Sequence, residues 1–130
     1  MAATYLDSSA IVKLAVHEPE SEPLRRHLRR RRPLVSSALA RTEVLRAVLP
    51  AGQDAVAAAR RALTRIDLVR VNDHILDLAG TLLPTEVRSL DSIHLATAAR
   101  VGSDLREFVT YDDRLAAAAR AIGYRVSAPA

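Results

Sequence analysis

The chain has 130 residues, 49% of them hydrophobic, which suits one compact domain and is too short for two of ordinary size, so we predict a single domain over residues 1–130. It contains no cysteine, which excludes disulfides, thiolate nucleophiles and cysteine-based zinc sites and favours a reducing cytoplasm, and no segment has the pattern of a signal peptide or a membrane span. The net charge of +4 is carried almost entirely by arginine, which permits a nucleic-acid partner without requiring one, since a GC-rich genome also favours arginine.

Apolar runs and helical patterns alternate along the first half of the chain. Pro33 and the segment Pro50-Ala51-Gly52 each interrupt a helical pattern, and Ser8 or Ser9 suits the start of the first helix. The sequence predicts a strand at 2–7, helices at 8–16 and 18–32, a strand at 34–36, and helices at 37–49 and 54–66.

The same alternation continues to the end of the chain. Pro84 begins a loop, and Gly102 and Gly123 follow helical patterns as terminating glycines do. The sequence predicts a strand at 67–71, helices at 72–83 and 91–101, a strand at 107–111, a helix at 113–122 and an edge strand at 124–126.

Strands separated by helices predict parallel pairing, because two-residue hairpins cannot join them and crossover helices must cover the sheet. We therefore expect an α/β fold with three layers, α/β/α, around a parallel sheet of four or five strands. In such a sheet the carboxyl ends of the strands line the crevice where ligands bind.

Four acidic residues occupy positions that a packed α/β core would normally avoid. Asp7 and Asp112 each close an apolar run, so two predicted strands end in an acid. Glu43 lies at the border of the apolar stripe of its helix, and Asp91 begins a helix whose other side chains are mostly apolar. Each also has an ordinary interpretation: Asp7 and Asp112 as helix caps, with Asp113 competing for the second cap, Glu43 as a surface residue and Asp91 as a first-turn acid.

If the four carboxylates converge, their mutual repulsion raises their pKa values or requires a counter-ion. A hard divalent cation meets that requirement. Oxygen ligands without cysteine or paired histidine favour Mg²⁺ or Mn²⁺ over zinc.

Four segments together resemble the PIN-domain ribonucleases, specifically the VapC toxins of type II toxin–antitoxin pairs. They cover the whole chain in the order and with the spacing of that family. The segments are Tyr5-Leu6-Asp7-Ser8-Ser9-Ala10-Ile11-Val12-Lys13-Leu14, Ala40-Arg41-Thr42-Glu43-Val44, Leu90-Asp91-Ser92-Ile93-His94-Leu95-Ala96 and Val109-Thr110-Tyr111-Asp112-Asp113-Arg114-Leu115.

The resemblance implies a PIN-like fold and a metal-dependent endoribonuclease that acts as a toxin. Asp7, Glu43, Asp91 and Asp112 would bind Mg²⁺ or Mn²⁺ and activate water to cleave RNA phosphodiester bonds. It also implies a small VapB-like antitoxin that inserts a segment near the acids, and a homodimer, for which we expect the apolar helices at 37–66 to supply surface.

Four further residues near the acids have two interpretations each. Thr110 and Ser9 place hydroxyls beside a metal or a phosphate, or serve packing and capping. His94 approaches the scissile phosphate, or is a partly buried helix histidine. Asp113 contributes outer-shell water contacts, or caps a helix.

The segment Arg25-Arg26-His27-Leu28-Arg29-Arg30-Arg31-Arg32 is the densest basic run. It contacts RNA phosphates, or the acidic parts of a partner, or is a solvated helix end. Few aromatic residues accompany it, so stacking on single-stranded bases is not indicated.

Three other functions compete with the nuclease. A phosphoacceptor receiver domain needs a lysine at a late strand end, whereas the lone lysine is Lys13. A non-catalytic PIN-like binding module should lack one of the four acids, and all are present. A metal-dependent phosphatase stays open because the ions serve any phosphoryl ester.

Overall fold

Five short strands alternate with seven helices in the computed structural model, which describes residues 2–130. The strands are β1 (Ala3–Leu6), β2 (Leu34–Ser37), β3 (Asp67–Val69), β4 (Leu105–Val109) and β5 (Val126–Ser127). The helices are α1 (Ser8–Ala15), α2 (Ser21–Leu28), α3 (Ala40–Val48), α4 (Gln53–Leu63), α5 (Asp73–Gly80), α6 (Ser89–Val101) and α7 (Asp113–Ile122).

All five strands form one parallel sheet in the order β3-β2-β1-β4-β5. Strand β1 is central and all four of its residues are buried. Because the strands are parallel, the residues that follow β1 and β4 emerge side by side at one edge of the sheet. The predicted α/β fold around a parallel sheet of four or five strands is confirmed, and the sheet has five.

Helices cover both faces of the sheet, because successive residues of a strand point to opposite sides. On one face Leu6 and Val109 pack with residues of α1 to α4, among them Ile11 and Val44. On the other face Tyr5 and Phe108 pack with residues of α6 and α7, and α5 packs against α6. These are the three layers that the alternating pattern predicts.

Several predicted boundaries are wrong by two to four residues. The helix predicted at 18–32 spans Ser21–Leu28. The helix predicted from 37 begins at Ala40, because Ser37 belongs to β2 and its hydroxyl accepts a hydrogen bond from the Leu39 amide in a turn. The helix predicted at 72–83 is also shorter than expected, because Asn72 caps it and it ends at Gly80. Strand β4 ends at Val109, which leaves Thr110 free to use its side chain beyond the sheet.

Among residues 2–130 no helix is both long enough and apolar enough to cross a membrane. The apolar side chains of α3 and α4 point mostly into the core, where Val44, Val48, Val56 and Leu63 are buried. The expectation that the helices at 37–66 expose a broad apolar surface is therefore not met, since Leu49 is the large apolar residue there that stays exposed.

Candidate active site

Two of the four acids lie next to each other because the strands before them are neighbours. Asp7 follows β1 directly, and Asp112 comes three residues after the end of β4. Thr110 joins them: its hydroxyl donates to Asp7 Oδ2 at 2.7 Å and accepts from the Asp112 amide at 3.0 Å. The crevice at this edge of the sheet therefore begins with a hydrogen-bonded link between the two strand ends.

Asp7 is almost completely buried, with 3% of its surface exposed. Its Oδ1 accepts from the Ser9 hydroxyl at 2.7 Å and from the Ala10 amide at 3.1 Å. Burial raises its pKa above the ordinary value, and the hydrogen bonds from Ser9 and Thr110 oppose that rise. Asp7 is thus the cap of α1, as its ordinary interpretation states, and also a fixed carboxylate in the crevice.

Glu43 enters the crevice from α3 and is held by two donors. The Ser8 hydroxyl donates to its Oε1 at 2.6 Å, and His94 Nε2 lies 2.6 Å from the same oxygen. Partial burial acts to raise the pKa of Glu43, but the hydrogen bonds from His94 and Ser8 outweigh it and leave the pKa below its ordinary value. Glu43 is therefore ionised, and it is not the free surface glutamate that local sequence suggested.

Asp91 shows that the acids are electrostatically connected. Burial raises its pKa most, and the negative charges of Asp112 and Glu43 raise it further, while Arg88 and His94 act in the opposite direction. Arg88 is mostly exposed, and its Nε lies 3.7 Å from Asp91 Oδ2. Asp91 therefore lies within electrostatic reach of two other crevice acids, Asp112 and Glu43.

Asp112 serves as the cap of α7 as well as a crevice residue. Its Oδ1 accepts from the amides of Arg114 and Leu115 at 2.9 and 3.2 Å. Asp113, its rival for the cap, is exposed and is the first residue of the helix. Asp112, the residue that the T-x-D spacing selects, is linked to Thr110 through its backbone amide.

The two hydroxyl candidates both contact Asp7. Besides its bond to that carboxylate, the Ser9 hydroxyl accepts from the Tyr111 amide at 2.9 Å and lies 3.4 Å from the Thr110 hydroxyl. These bonds orient the Asp7 carboxylate, which goes beyond simple capping and strand packing. They also tie the start of α1 to the end of β4.

His94 is buried inside the protein and does not reach toward solvent. It is 2% exposed, and its two ring nitrogens contact Tyr5 and Glu43. The hypothesis that it approaches a phosphate is therefore not supported. Sequence reasoning missed Tyr5 and Ser8 as members of this network; their positions in the segment around Asp7 were the available signal.

The crevice offers the kind of ligand atom that a hard divalent cation prefers. The crevice acids supply only oxygen, and the repulsion that raises the pKa of Asp91 would be relieved by a cation. Within residues 2–130 no three carboxylate or imidazole groups are gathered closely enough to enclose an ion by themselves. A hard cation such as Mg²⁺ usually keeps several waters and takes one or two carboxylates together with substrate phosphate.

The basic run lies at the opposite edge of the sheet. Arg25, Arg29 and Arg32 line a cleft of about 470 Å³ together with Arg61 and Arg65. Leu34 at the start of β2 and Ile66 just before β3 also line it, so the cleft lies at the amino ends of these strands. The arginine cleft, as we call this group of five arginines and its apolar floor, is therefore separate from the acidic crevice.

Comparison with known proteins gives consistent results. The model of the PIN domain family matches residues 4–121. The chain is 64% identical to Ribonuclease VapC46 of Mycobacterium tuberculosis over 129 residues, covering 99% of each, and 38% identical to Ribonuclease VapC47 of the same species, covering 96% of each.

Two solved structures share the fold at low sequence identity. A crystal structure of Mycobacterium tuberculosis VapC20, described as a sarcin-ricin loop cleaving toxin, is 18% identical with a TM-score of 0.75, covering 98% of this chain and 100% of that one. A toxin–antitoxin complex from Klebsiella pneumoniae is 19% identical with a TM-score of 0.68, covering 85% and 87%.

Proposed function

This chain belongs to the PIN-domain family and to its VapC ribonucleases, and from that premise we propose that the acidic crevice hydrolyses RNA phosphodiester bonds with bound Mg²⁺ or Mn²⁺. The chain is an endoribonuclease of the toxin class. Asp7, Glu43, Asp91 and Asp112 are the residues that we assign to the metal and to catalysis.

One observation carries the metal proposal: the crevice holds several carboxylates, and their negative charges repel one another. The pKa of Asp91 is raised by burial and then by the charges of Asp112 and Glu43. Asp7 is buried close by, held by hydroxyl groups and a backbone amide rather than by a basic side chain. Carboxylates that repel one another are typical of a site that binds a cation.

The protein's own contribution is to hold ligands and leave space for a phosphate. A divalent cation, when bound, would supply activation of water and stabilisation of charge on the phosphate. Thr110 and Ser9 fix the Asp7 carboxylate, and Ser8 and His94 fix one oxygen of Glu43. The Asp112 carboxylate uses one oxygen as a cap, which leaves the other available to the crevice.

The proposed function is tested by cleavage of labelled structured RNA with purified, antitoxin-free protein. We expect cleavage with Mg²⁺ or Mn²⁺ and none with excess EDTA, with activity restored when the metal is added back. Cleavage that continues undiminished in EDTA would contradict the metal assignment. A folded protein that binds the metal yet cuts no RNA would favour the binding module.

An antitoxin is the partner of a toxin of this type, and we infer that a VapB-like antitoxin also contacts the arginine cleft. Arg32, Arg61 and Arg65 have no acidic partner among the ion pairs of residues 2–130, so the rim of the cleft offers unneutralised positive charge. Its floor is apolar, with Leu28, Leu34 and Ala62 among the lining residues. An acidic amphipathic segment complements both features.

The double variant Arg61→Glu/Arg65→Glu should keep its RNA cleavage but escape neutralisation. Reversed charges on the rim repel an acidic segment, and a lost close charge pair at an interface costs about 1.5 kcal/mol or more, which is roughly tenfold in affinity. Growth of cells that express the toxin variant with its antitoxin measures the effect. The matched control Arg100→Glu/Arg120→Glu alters exposed arginines on α6 and α7 and should remain neutralised; equal neutralisation of both variants would refute the assignment.

We retain a homodimer as a proposal, with a different surface from the one that the sequence indicated. The exposed leucines outside the segment 37–66 lie on and after α5 and at the start of α6: Leu76, Leu78, Leu83 and Leu90. Light scattering of the free protein would show a mass of two chains if the proposal holds.

Because its substrate is RNA, we also infer that the protein acts in the cytoplasm.

A further inference from the structure

The side chains of Tyr5, His94 and Glu43 form a continuous chain of hydrogen bonds from the core to the crevice. The Tyr5 hydroxyl and His94 Nδ1 are 2.7 Å apart, and His94 Nε2 and Glu43 Oε1 are 2.6 Å apart. These three residues come from β1, α6 and α3, so the chain of bonds crosses the sheet edge and joins elements from both faces. It lies directly beneath the acidic site.

The inner end of this chain is rigid. Tyr5 is fully buried and its ring stacks on Phe108 with 4.9 Å between centroids. Burial raises the pKa of Tyr5 far above its ordinary value, so the hydroxyl keeps its hydrogen. His94 packs edge-on against the same ring. The imidazole is therefore held by packing and by a hydrogen bond at Nδ1.

The outer end determines which way the hydrogen bonds run. An ionised carboxylate can only accept, so Nε2 of His94 carries a hydrogen and donates it to Glu43. Nδ1 lies 2.7 Å from the Tyr5 hydroxyl, so both ring nitrogens of His94 are engaged in the chain. Ser8 donates to the same Glu43 oxygen, Oε1.

This concentration of donors on Oε1 leaves the other oxygen of Glu43 without a hydrogen-bond donor from residues 2–130. We propose that His94 is a positioning residue: supported by Tyr5, it holds Glu43 through Oε1 and so orients the carboxylate whose Oε2 would bind the divalent cation. This inference rests on the proposed metal site. His94 touches neither metal nor RNA, and it acts through Glu43.

The proposal predicts a graded series of Mn²⁺ affinities, measured by calorimetry in the absence of RNA. Groups that orient a ligand typically contribute 10–100-fold in metal affinity, so His94→Leu should weaken Mn²⁺ binding by roughly that factor. His94→Gln, whose amide nitrogen takes the place of Nε2, should recover most of the affinity, and Tyr5→Phe should fall between. His74→Leu alters an exposed histidine and should bind as the unmodified protein does.

Coupling to Glu43 separates a positioning role from a general structural one. In a Glu43→Gln background, the further change His94→Leu should have no additional effect on Mn²⁺ affinity, because the ligand that it orients has gone. Nitrogen chemical shifts of His94 should show a hydrogen on Nε2 in the metal-free protein. These readouts do not depend on RNA cleavage.

Several outcomes would overturn the inference. Full Mn²⁺ affinity in a folded His94→Leu protein would do so, as would additive losses from His94→Leu and Glu43→Gln, or a hydrogen on Nδ1 alone. If His94→Leu does not fold, Tyr5→Phe and His94→Gln carry the test, and unchanged affinity in Tyr5→Phe with no recovery by His94→Gln would refute it. Failure of the unmodified protein to bind Mn²⁺ at the acids would instead refute the proposed function.

Discussion

Replacing Asp7 by asparagine should nearly abolish RNA cleavage and, in the same protein, raise stability. Loss of a buried metal ligand should lower the cleavage rate on the order of 10³-fold. Stability should rise because burial holds the pKa of Asp7 above its ordinary value. Ionisation of Asp7 therefore costs more free energy in the folded state than in the unfolded state. Asparagine caps α1 as well as aspartate does, so the helix start is preserved.

The sign of the stability effect follows from the direction of that pKa shift. A raised pKa favours the protonated carboxyl in the folded state, so the associated stability is present below the ordinary pKa and is lost as pH rises through the folded value. The metal-free protein therefore loses stability through Asp7 as pH rises toward neutral, and asparagine, which does not ionise, removes that loss. Asparagine turns an amide nitrogen toward Thr110, which costs about 1 kcal/mol, less than the several kcal/mol typical for a buried charge.

Urea unfolding in EDTA at neutral pH and below pH 4 measures the effect. Asp7→Asn should be more stable than the unmodified protein at neutral pH, and the gain should shrink in acid. Asp77→Asn is the matched control, because that acid is exposed in the middle of α5 and should change neither cleavage nor stability. A less stable Asp7→Asn protein at neutral pH, or one that cleaves normally, would contradict the account.

Two substitutions of Asp112 should separate its roles as helix cap and as crevice acid. Asparagine and alanine both remove the charge, so both should lower cleavage on the order of 10²-fold or more. Only alanine removes the acceptor for the amides of Arg114 and Leu115, which should cost about 1 kcal/mol of stability. Cleavage rates and unfolding free energies of the two variants give the comparison.

A second readout comes from Asp91. Burial and then the charge of Asp112 raise its pKa, so Asp112→Asn should lower the pKa of Asp91 in metal-free protein, as followed by NMR titration. Normal cleavage by Asp112→Asn would mean that Asp112 is a cap alone. An unchanged Asp91 pKa would mean that the two carboxylates do not interact.

The order of strands and helices was predictable because its signals are local. Short apolar stretches mark β1, β2 and β4, such as Leu34-Val35 in β2 and Phe108-Val109 in β4. Gly123, in a left-handed conformation with φ of 104°, ends α7 where the sequence indicated. The ends of α2 and α5 were not predictable, since their helical patterns run on past the residues where packing stops. Asn72 was included in a helix although its side chain caps it.

Within the site, the strand-end acids were easier to predict than their supports. Asp7 and Asp112 follow apolar runs, so their position at the sheet edge is a consequence of parallel pairing. Glu43 and Asp91 needed the family resemblance, because an acid near the border of a helix is common. The link from Tyr5 to His94 spans 89 positions in the chain and depends on how α6 packs on the sheet, so no local pattern encodes it.

The chemistry of the cut ends tests the central claim most directly. RNA cleaved in ¹⁸O-labelled water with Mn²⁺ should carry 3′-hydroxyl and 5′-phosphate ends, with one ¹⁸O in the new phosphate, because water attacks the phosphorus and the 3′ oxygen leaves. Fragments that end in 2′,3′-cyclic phosphate without the label would show attack by the ribose 2′-hydroxyl. That result would contradict hydrolysis by water at the four-carboxylate site.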